Sequence, residues 1–267
     1  MSAVRVWCGQ GAAGVLAGTL LFSSCAYAVE VAPHRAIYDL SLAHAKSSSG
    51  IVDAKGSMLV EWADSCDGWT IDQRYRLTVT SDESEDSQVL VSFSTWEAKD
   101  GLSYRFFMRK MRDGDVAEEM RGRARLEGKG EGGTAEFTQP ETTTVELPRG
   151  TMFPTDHTLL LIEAANGSER FVTRKVFDGG ETEGPSDVTA AIGQAVDPAD
   201  TKNPLLNRRG WPMRLAFYAP DAAGSEPDYE VGMKLLDNGV AEGMTLDYGD
   251  MVVRAKLREI EALKPNC

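Results

Sequence analysis

A two-residue period constrains this chain more tightly than any other feature. Trp69, Ile71, Gln73, Tyr75, Leu77 and Val79 alternate with Thr70, Asp72, Arg74, Arg76, Thr78 and Thr80. That period puts one set on each face of a half-buried antiparallel strand. Leu102, Tyr104, Phe106 and Met108 alternate likewise with Ser103, Arg105, Phe107 and Arg109, and the stretch Val116–Leu126 repeats the pattern. Between these two runs lies Arg112-Asp113-Gly114-Asp115, whose Asp-Gly step suits a tight hairpin turn. Further strand runs fall at Ile37–Leu42, Gly56–Trp62, Val89–Trp96, Glu136–Leu147, Arg170–Phe177, Arg214–Tyr218 and Tyr229–Leu235. With turn residues between them, the expectation is a mainly β sandwich or barrel.

The C-terminal stretch changes phase. Met244, Leu246 and Tyr248 share one parity, whereas Met251, Val253, Ala255 and Leu257 continue on the other, with Gly249-Asp250 at the switch. A β-bulge there would restore one buried face and bend the strand; a true turn between two strands is the alternative, and the bulge is the expectation. One helix is convincing: Pro154, then Thr155 as N-cap, Asp156 in the first turn, the apolar run Leu159–Ile162 with Ala165, and Asn166-Gly167 as the stop. It is apolar nearly all round, so it should plug or flank a curled sheet. A weaker helix is read at Pro185–Ala195.

The N-terminus reads as a secretory signal peptide spanning 1–28. Arg5 supplies the positive start, Ala12–Phe22 is too short to cross a bilayer, and Ala26-Tyr27-Ala28 is a small-x-small cleavage site. A lipoprotein signal acylated on Cys25 is the competing reading, disfavoured by bulky Phe22. Cleavage after Ala28 leaves residues 29–267 as one domain of 239 residues (267 − 28), with no transmembrane segment. It also removes Cys8 and Cys25, leaving Cys66 and Cys267 in an oxidising compartment, where a disulfide between them is the default. Closing a loop of about 200 residues would remove unfolded-state entropy worth roughly 5 kcal/mol. A redox pair would instead be expected at C-x-x-C spacing.

Charge excludes some partners. The formal charge of −13 becomes −14 without Arg5, which argues against nucleic acid and against nonspecific adhesion to anionic lipid. Chemistry-bearing motifs are scarce. His34, His44 and His157 lack metal-ligand spacing, and His157, in the first helical turn, is expected to hydrogen-bond nearby backbone. Gly128–Gly133 satisfies G-x-G-x-x-G but leads into Thr134–Pro140, which cannot open a helix, so it reads as a hairpin loop. No G-x-S-x-G elbow occurs. Asp82–Asp86 lacks EF-hand spacing and reads as a solvated loop. Trp62, Trp69, Trp96 and Trp211 could line a ligand groove, but each is expected to fill a β core. No metal, cofactor or catalytic group is expected.

Several segments together carry a resemblance. Ala32-Pro33-His34-Arg35-Ala36-Ile37-Tyr38, Gly56-Ser57-Met58, Cys66-Asp67-Gly68-Trp69, Phe153–Thr158, Leu246–Asp250 and a terminal cysteine occur in this order. In this the chain resembles the EipB-type cell-envelope integrity proteins of Gram-negative bacteria, over essentially all of 29–267. The resemblance implies a periplasmic β-spiral, one antiparallel sheet rolled into an open barrel around a central helix. It implies closure by a disulfide at the positions of Cys66 and Cys267, and a role in envelope integrity under stress. It also implies a periplasmic tetratricopeptide-repeat partner and brings no catalytic residues. The expected function is therefore non-catalytic support of the envelope by binding another envelope component, a lipid, glycan or protein. The alternatives are a lipid or lipoprotein carrier with an apolar groove in the curled sheet, and a peptidoglycan hydrolase.

Overall fold

The computed structural model describes residues 31–82, 86–220 and 226–264. The expected signal peptide, Cys25 and Cys267 lie outside the described residues, as do residues 83–85 of the acidic loop.

The first half of the chain is a run of hairpins: β1 (His34–Ala45), β2 (Ile51–Asp64), β3 (Gly68–Ser81), β4 (Ser87–Ala98), β5 (Ser103–Arg112), β6 (Asp115–Leu126), β7 (Gly133–Gln139) and β8 (Thr143–Leu147). Then come the short β9 (Thr151–Met152) and the helix α1 (Pro154–Asn166). The second half comprises β10 (Phe171–Val176), β11 (Ser186–Ile192), β12 (Gly210–Tyr218), β13 (Tyr229–Leu236), β14 (Ala241–Asp247) and β15 (Met251–Ala262).

The fifteen strands of the described residues form one sheet, in the order β8-β7-β6-β5-β4-β3-β2-β1-β15-β14-β13-β12-β11-β10-β9. Neighbours in the sheet are neighbours in sequence everywhere except at the β1–β15 seam, where His34 pairs with Ala262 and Leu40 with Ala255. The two free edges, β8 and β9, lie only three residues apart in the chain, and the Thr151 N–H donates to the Pro148 carbonyl at 3.2 Å. The sheet therefore curls almost shut, the rolled architecture that the resemblance implied and, of the sandwich and barrel that the pattern left open, the barrel-like form. α1 runs inside the curl: Leu161, Ile162, Ala164 and Ala165 share one buried cluster with Ala36, Leu40, Val172, Val188, Trp211 and Val253. An apolar helix has no better place, because a rolled sheet alone would leave its centre unfilled.

The Asp113-Gly114 hairpin forms as read, with both residues at positive φ (54° and 96°), the conformation that two-residue hairpins favour. Four local readings are corrected. The Gly249-Asp250 switch is a true turn and not a bulge: Leu246 pairs with Val253 and Asp247 with Val252, so reversal of direction, not an extra residue, flips the parity. The stretch expected as a second helix at Pro185–Ala195 contains β11, whose Val188, Ala190 and Ile192 are buried at period two. The run Glu136–Leu147 is two strands, broken after the cis Gln139-Pro140 bond. The N-cap of α1 is Phe153 and not Thr155, with Pro154 in the first turn and no capping bond from the Phe153 side chain.

Candidate functional site

The interior of the curl is packed unevenly, and the uneven part is the candidate site. Between β1–β3 on one side and β13–β14 on the other lies a cavity of about 370 Å³, within the range of small-molecule sites. Strand register builds it. Tyr38 pairs with Met58, Met58 with Tyr75, and Tyr75 with Val91, so one transverse row of inward side chains crosses four strands. A second row, His34–Trp62–Ile71, closes one end. Val231, Met244 and Leu246 face them from the far wall.

The polar groups of this wall are uncharged. The His34 ring Nδ1 lies 2.7 Å from the Ala32 carbonyl; a carbonyl only accepts, so Nδ1 carries the proton and Nε2 is left as an acceptor. Burial lowers the His34 pKa, opposed by that hydrogen bond, so the ring stays neutral. Tyr38 donates to the Ala241 carbonyl at 2.7 Å. Tyr75, Tyr229 and Tyr248 gather at one end: the Tyr248 hydroxyl lies 3.5 Å from that of Tyr75, and its ring centroid 5.2 Å from that of Tyr229. Burial first, and then the neighbouring phenols, hold Tyr75 and Tyr229 protonated well above the ordinary tyrosine range. Tyr248 is 41 % exposed, so this end of the cavity meets the surface. The Trp62 Nε1–H is buried without an acceptor among the described residues. Among the described residues no Asp, Glu, Lys or Arg lines the space, so the site suits an uncharged, largely apolar guest.

A second polar arrangement lies at the N-terminus of α1. Glu97 on β4, 2 % exposed, accepts from the Thr155 N–H at 2.7 Å and the Asp156 N–H at 2.8 Å. A carboxylate from the sheet thus caps the helix that lacks a side-chain cap of its own. Burial raises the Glu97 pKa to about 7 against the opposing pull of those hydrogen bonds. Lys129 binds Asp156 from outside at 2.7 Å. His157, one turn in, is buried with its Nε2 unpartnered among the described residues. Burial, then the charge of Arg174, lowers its pKa to about 4. The expected side-chain bond from His157 to backbone is thus not made by that nitrogen; its backbone N–H bonds the Phe153 carbonyl at 2.9 Å.

The residues singled out from sequence are scattered. Trp69 and Trp211 are buried core, while Trp62 is both core and cavity wall. Trp96 lies on the outer face beneath the Arg105 guanidinium, 4.3 Å away. His44 is exposed and far along β1 from His34. Among the described residues no group of three or more His, Cys, Asp or Glu is placed to hold a metal, and no helix is long and apolar enough to cross a membrane. Gly128–Gly133 is the β6–β7 hairpin loop, closed by the Glu127 N–H to the Gly132 carbonyl. Cys66 sits in the β2–β3 turn at φ 72°, its N–H bonded to the Asp64 carboxylate at 2.9 Å. Sequence reasoning missed Glu97 and the tyrosine trio. The latter was visible only as shared parity at Tyr75 and at Tyr248, with Tyr229 opening a strand run.

Against known proteins, the family model described as EipB-like matches residues 25–264. The chain belongs to the EipB-like family. A curated relative, the cell envelope integrity protein EipB of Brucella abortus, is 34 % identical over 247 residues, covering 90 % of this chain and 87 % of its own length. A crystal structure of a β-barrel-like protein of a domain of unknown function from Brucella abortus superposes with a TM-score of 0.82. It is 32 % identical, over 89 % of this chain and all of that one. This family member therefore shares the nearly closed β-barrel-like sheet. The relative's name describes the envelope and not a reaction.

Proposed function

We propose that this protein is exported, loses residues 1–28, and supports cell-envelope integrity without catalysis by binding another envelope component. The supporting observation is the uncharged cavity inside the curl, open beside Tyr248 and walled by aromatic and aliphatic side chains. The component it suits is an acyl chain of an envelope lipid, in line with a carrier or sensor of such molecules. The aliphatic wall contributes by apolar burial, and Trp62 N–H, His34 Nε2 and the tyrosine hydroxyls offer partners for an ester or hydroxyl. The proposal also includes, on family resemblance alone, a periplasmic tetratricopeptide-repeat protein as a second partner. Mass spectrometry of protein gently extracted from its own cells should find co-purified acyl chains, lost in a Val231→Trp variant that fills the cavity. A deletion strain should be sensitive to detergents or wall-targeting antibiotics. Empty protein, together with full rescue by Val231→Trp, would sink the lipid reading; a deletion strain with normal resistance would sink the envelope role.

We further propose that Cys66 and Cys267 are joined. The seam supports this: His34 pairs with both Ala262 and Trp62, and the Leu263 N–H donates to the Pro33 carbonyl at 2.9 Å. The ends of β15 and β2 are thus two strand spacings apart, about 10 Å, on the same rim of the sheet. Five residues from Ala262 reach up to about 17 Å, enough to meet the turn that holds Cys66. Thiol titration of native material should find neither group free, and reduction should lower the melting temperature; two reactive thiols would refute the bond.

A further inference from the structure

The outer face of β5 and β6 is basic in an otherwise acidic protein. Arg105 and Arg109 on β5 and Arg121, Arg123 and Arg125 on β6 are all exposed, against a chain charge of −13. Arg105 pairs directly across the ladder with Arg123, and like charges placed opposite one another destabilise a sheet. Glu119 matches Arg109, and Glu136 matches Arg123. Arg105, Arg121 and Arg125 make no ion pair among the described residues. Two aromatic rings support this face. Trp96 is anchored by its Nε1–H to Ser65 Oγ at 3.2 Å and carries the Arg105 guanidinium at 4.3 Å, while Phe107 carries Arg121 at 4.7 Å. Arg105, Arg123 and Arg125, with Trp96, Ser103 and Thr134, line a single surface concavity of about 410 Å³, into which Glu136 also projects beside Arg123.

We propose that this concavity is a binding site for a phosphoryl group. A guanidinium stacked on a ring uses its face and keeps its N–H edge for an anion, so the Trp96 stack orients Arg105 without neutralising it. A planar carboxylate is satisfied by one such fork. Three guanidiniums and two hydroxyls around one hollow match a tetrahedral group with three acceptor oxygens. Glu136 occupies Arg123, so the anion is held chiefly by Arg105 and Arg125. Its charge relieves the in-register repulsion of Arg105 and Arg123. The same chemistry is offered by free phosphate and by the phosphomonoester headgroup of an envelope amphiphile. The site faces outward and stands independently of the interior cavity.

The test uses the mature chain at low ionic strength, by calorimetry with inorganic phosphate and by co-sedimentation with phosphatidylcholine vesicles with and without phosphatidic acid. Saturable phosphate binding that raises the melting temperature is expected. Arg105→Gln combined with Arg125→Gln should weaken it by about tenfold or more. Arg105→Lys with Arg125→Lys, which keeps the charge but loses the fork, should weaken it as well. Binding of phosphate without vesicle retention identifies a soluble phosphate as the guest; retention only by phosphatidic acid vesicles, lost in the glutamine variant, identifies the headgroup. No saturable binding to either probe overturns the proposal, as does unchanged binding by the glutamine variant. Preferential binding of poly-glutamate that phosphate fails to displace overturns it too. The glutamine variant loses the Arg105–Trp96 stack together with the Arg105–Arg123 repulsion, so its melting temperature without phosphate should stay close to the parent's, which keeps loss of binding distinct from loss of fold.

Discussion

Phe106 and Tyr75 both point into the curl from strands two places apart in the sheet, yet one is locked in solid packing and the other borders a void. Phe106 is 3 % exposed and meets Phe137 and Phe177 edge-on, with centroids 5.1 and 5.7 Å away. Its ring lies so close to Gly122 and Gly179 that a Cβ on either would come within 2.5 Å of it. Tyr104 stacks on Phe153 at 5.0 Å, and its hydroxyl reaches the Asp178 carbonyl at 3.1 Å. The β5–β8 side therefore fills itself, with glycine letting rings approach backbone. Around Tyr75 the rings carry hydroxyls that need partners, and those of Tyr75 and Tyr248 lie 3.5 Å apart. The difference lies in what faces the rings: glycine backbone at Gly122 and Gly179 closes on Phe106, whereas Val231, Met244 and Leu246 stand across the space from Tyr75.

The comparison breaks most readily at Phe106. Phe106→Ala should cost about 3–5 kcal/mol, because backbone at Gly122 and Gly179 cannot collapse into the space; denaturant unfolding measures it. A loss under 1 kcal/mol would mean that this side is not close-packed. Overpacking sharpens the contrast at smaller amplitude. Ala135→Leu, at a fully buried site beside Phe137, should destabilise by about 1–3 kcal/mol, whereas Val60→Leu in the cavity wall should be near neutral. Equal costs would show that the cavity does not tolerate added volume.

The smallest effect is in pH dependence. Glu97, raised to about 7, keeps a proton that the unfolded chain releases, so its contribution to stability falls as pH rises from about 4.5 to about 7. His157, lowered to about 4 from 6.5, refuses a proton that the unfolded chain takes up, so its contribution falls as pH drops across that interval. The two slopes oppose each other in the parent. Glu97→Gln leaves the histidine slope alone, so melting temperature should then decline steadily on acidification from about pH 6.5 to 4. A variant with the parent's pH profile would contradict this.

Much of this architecture was legible in the sequence because its signals are local. Alternation at Trp69–Val79 and the Asp113-Gly114 turn declare themselves within a few residues, and so does the apolar run Leu159–Ile162. The failures occurred where distant partners decide. Val188-Thr189-Ala190-Ala191-Ile192 contains alanines that favour helix, but β10 and β12 recruit it as a strand. The capping of α1 escaped because the group that satisfies Thr155 and Asp156 lies 58 residues earlier at Glu97. The cavity and the opposed pair Arg105–Arg123 depend on cross-strand register, which alternation alone leaves open.

The seam between β1 and β15 has a consequence for how such a chain is delivered. Every other ladder joins segments made one after another, so most of the sheet can assemble as polypeptide emerges. The opening strand gains β2 early but must wait for the twelve residues of β15 to cover its other side. Until they arrive it presents bare backbone donors and acceptors, the kind of border that invites pairing with a stranger. Arg35 and Asp39 stand along that border as charged guards, and each later finds its counter-ion on the closing strand, Glu261 and Arg258.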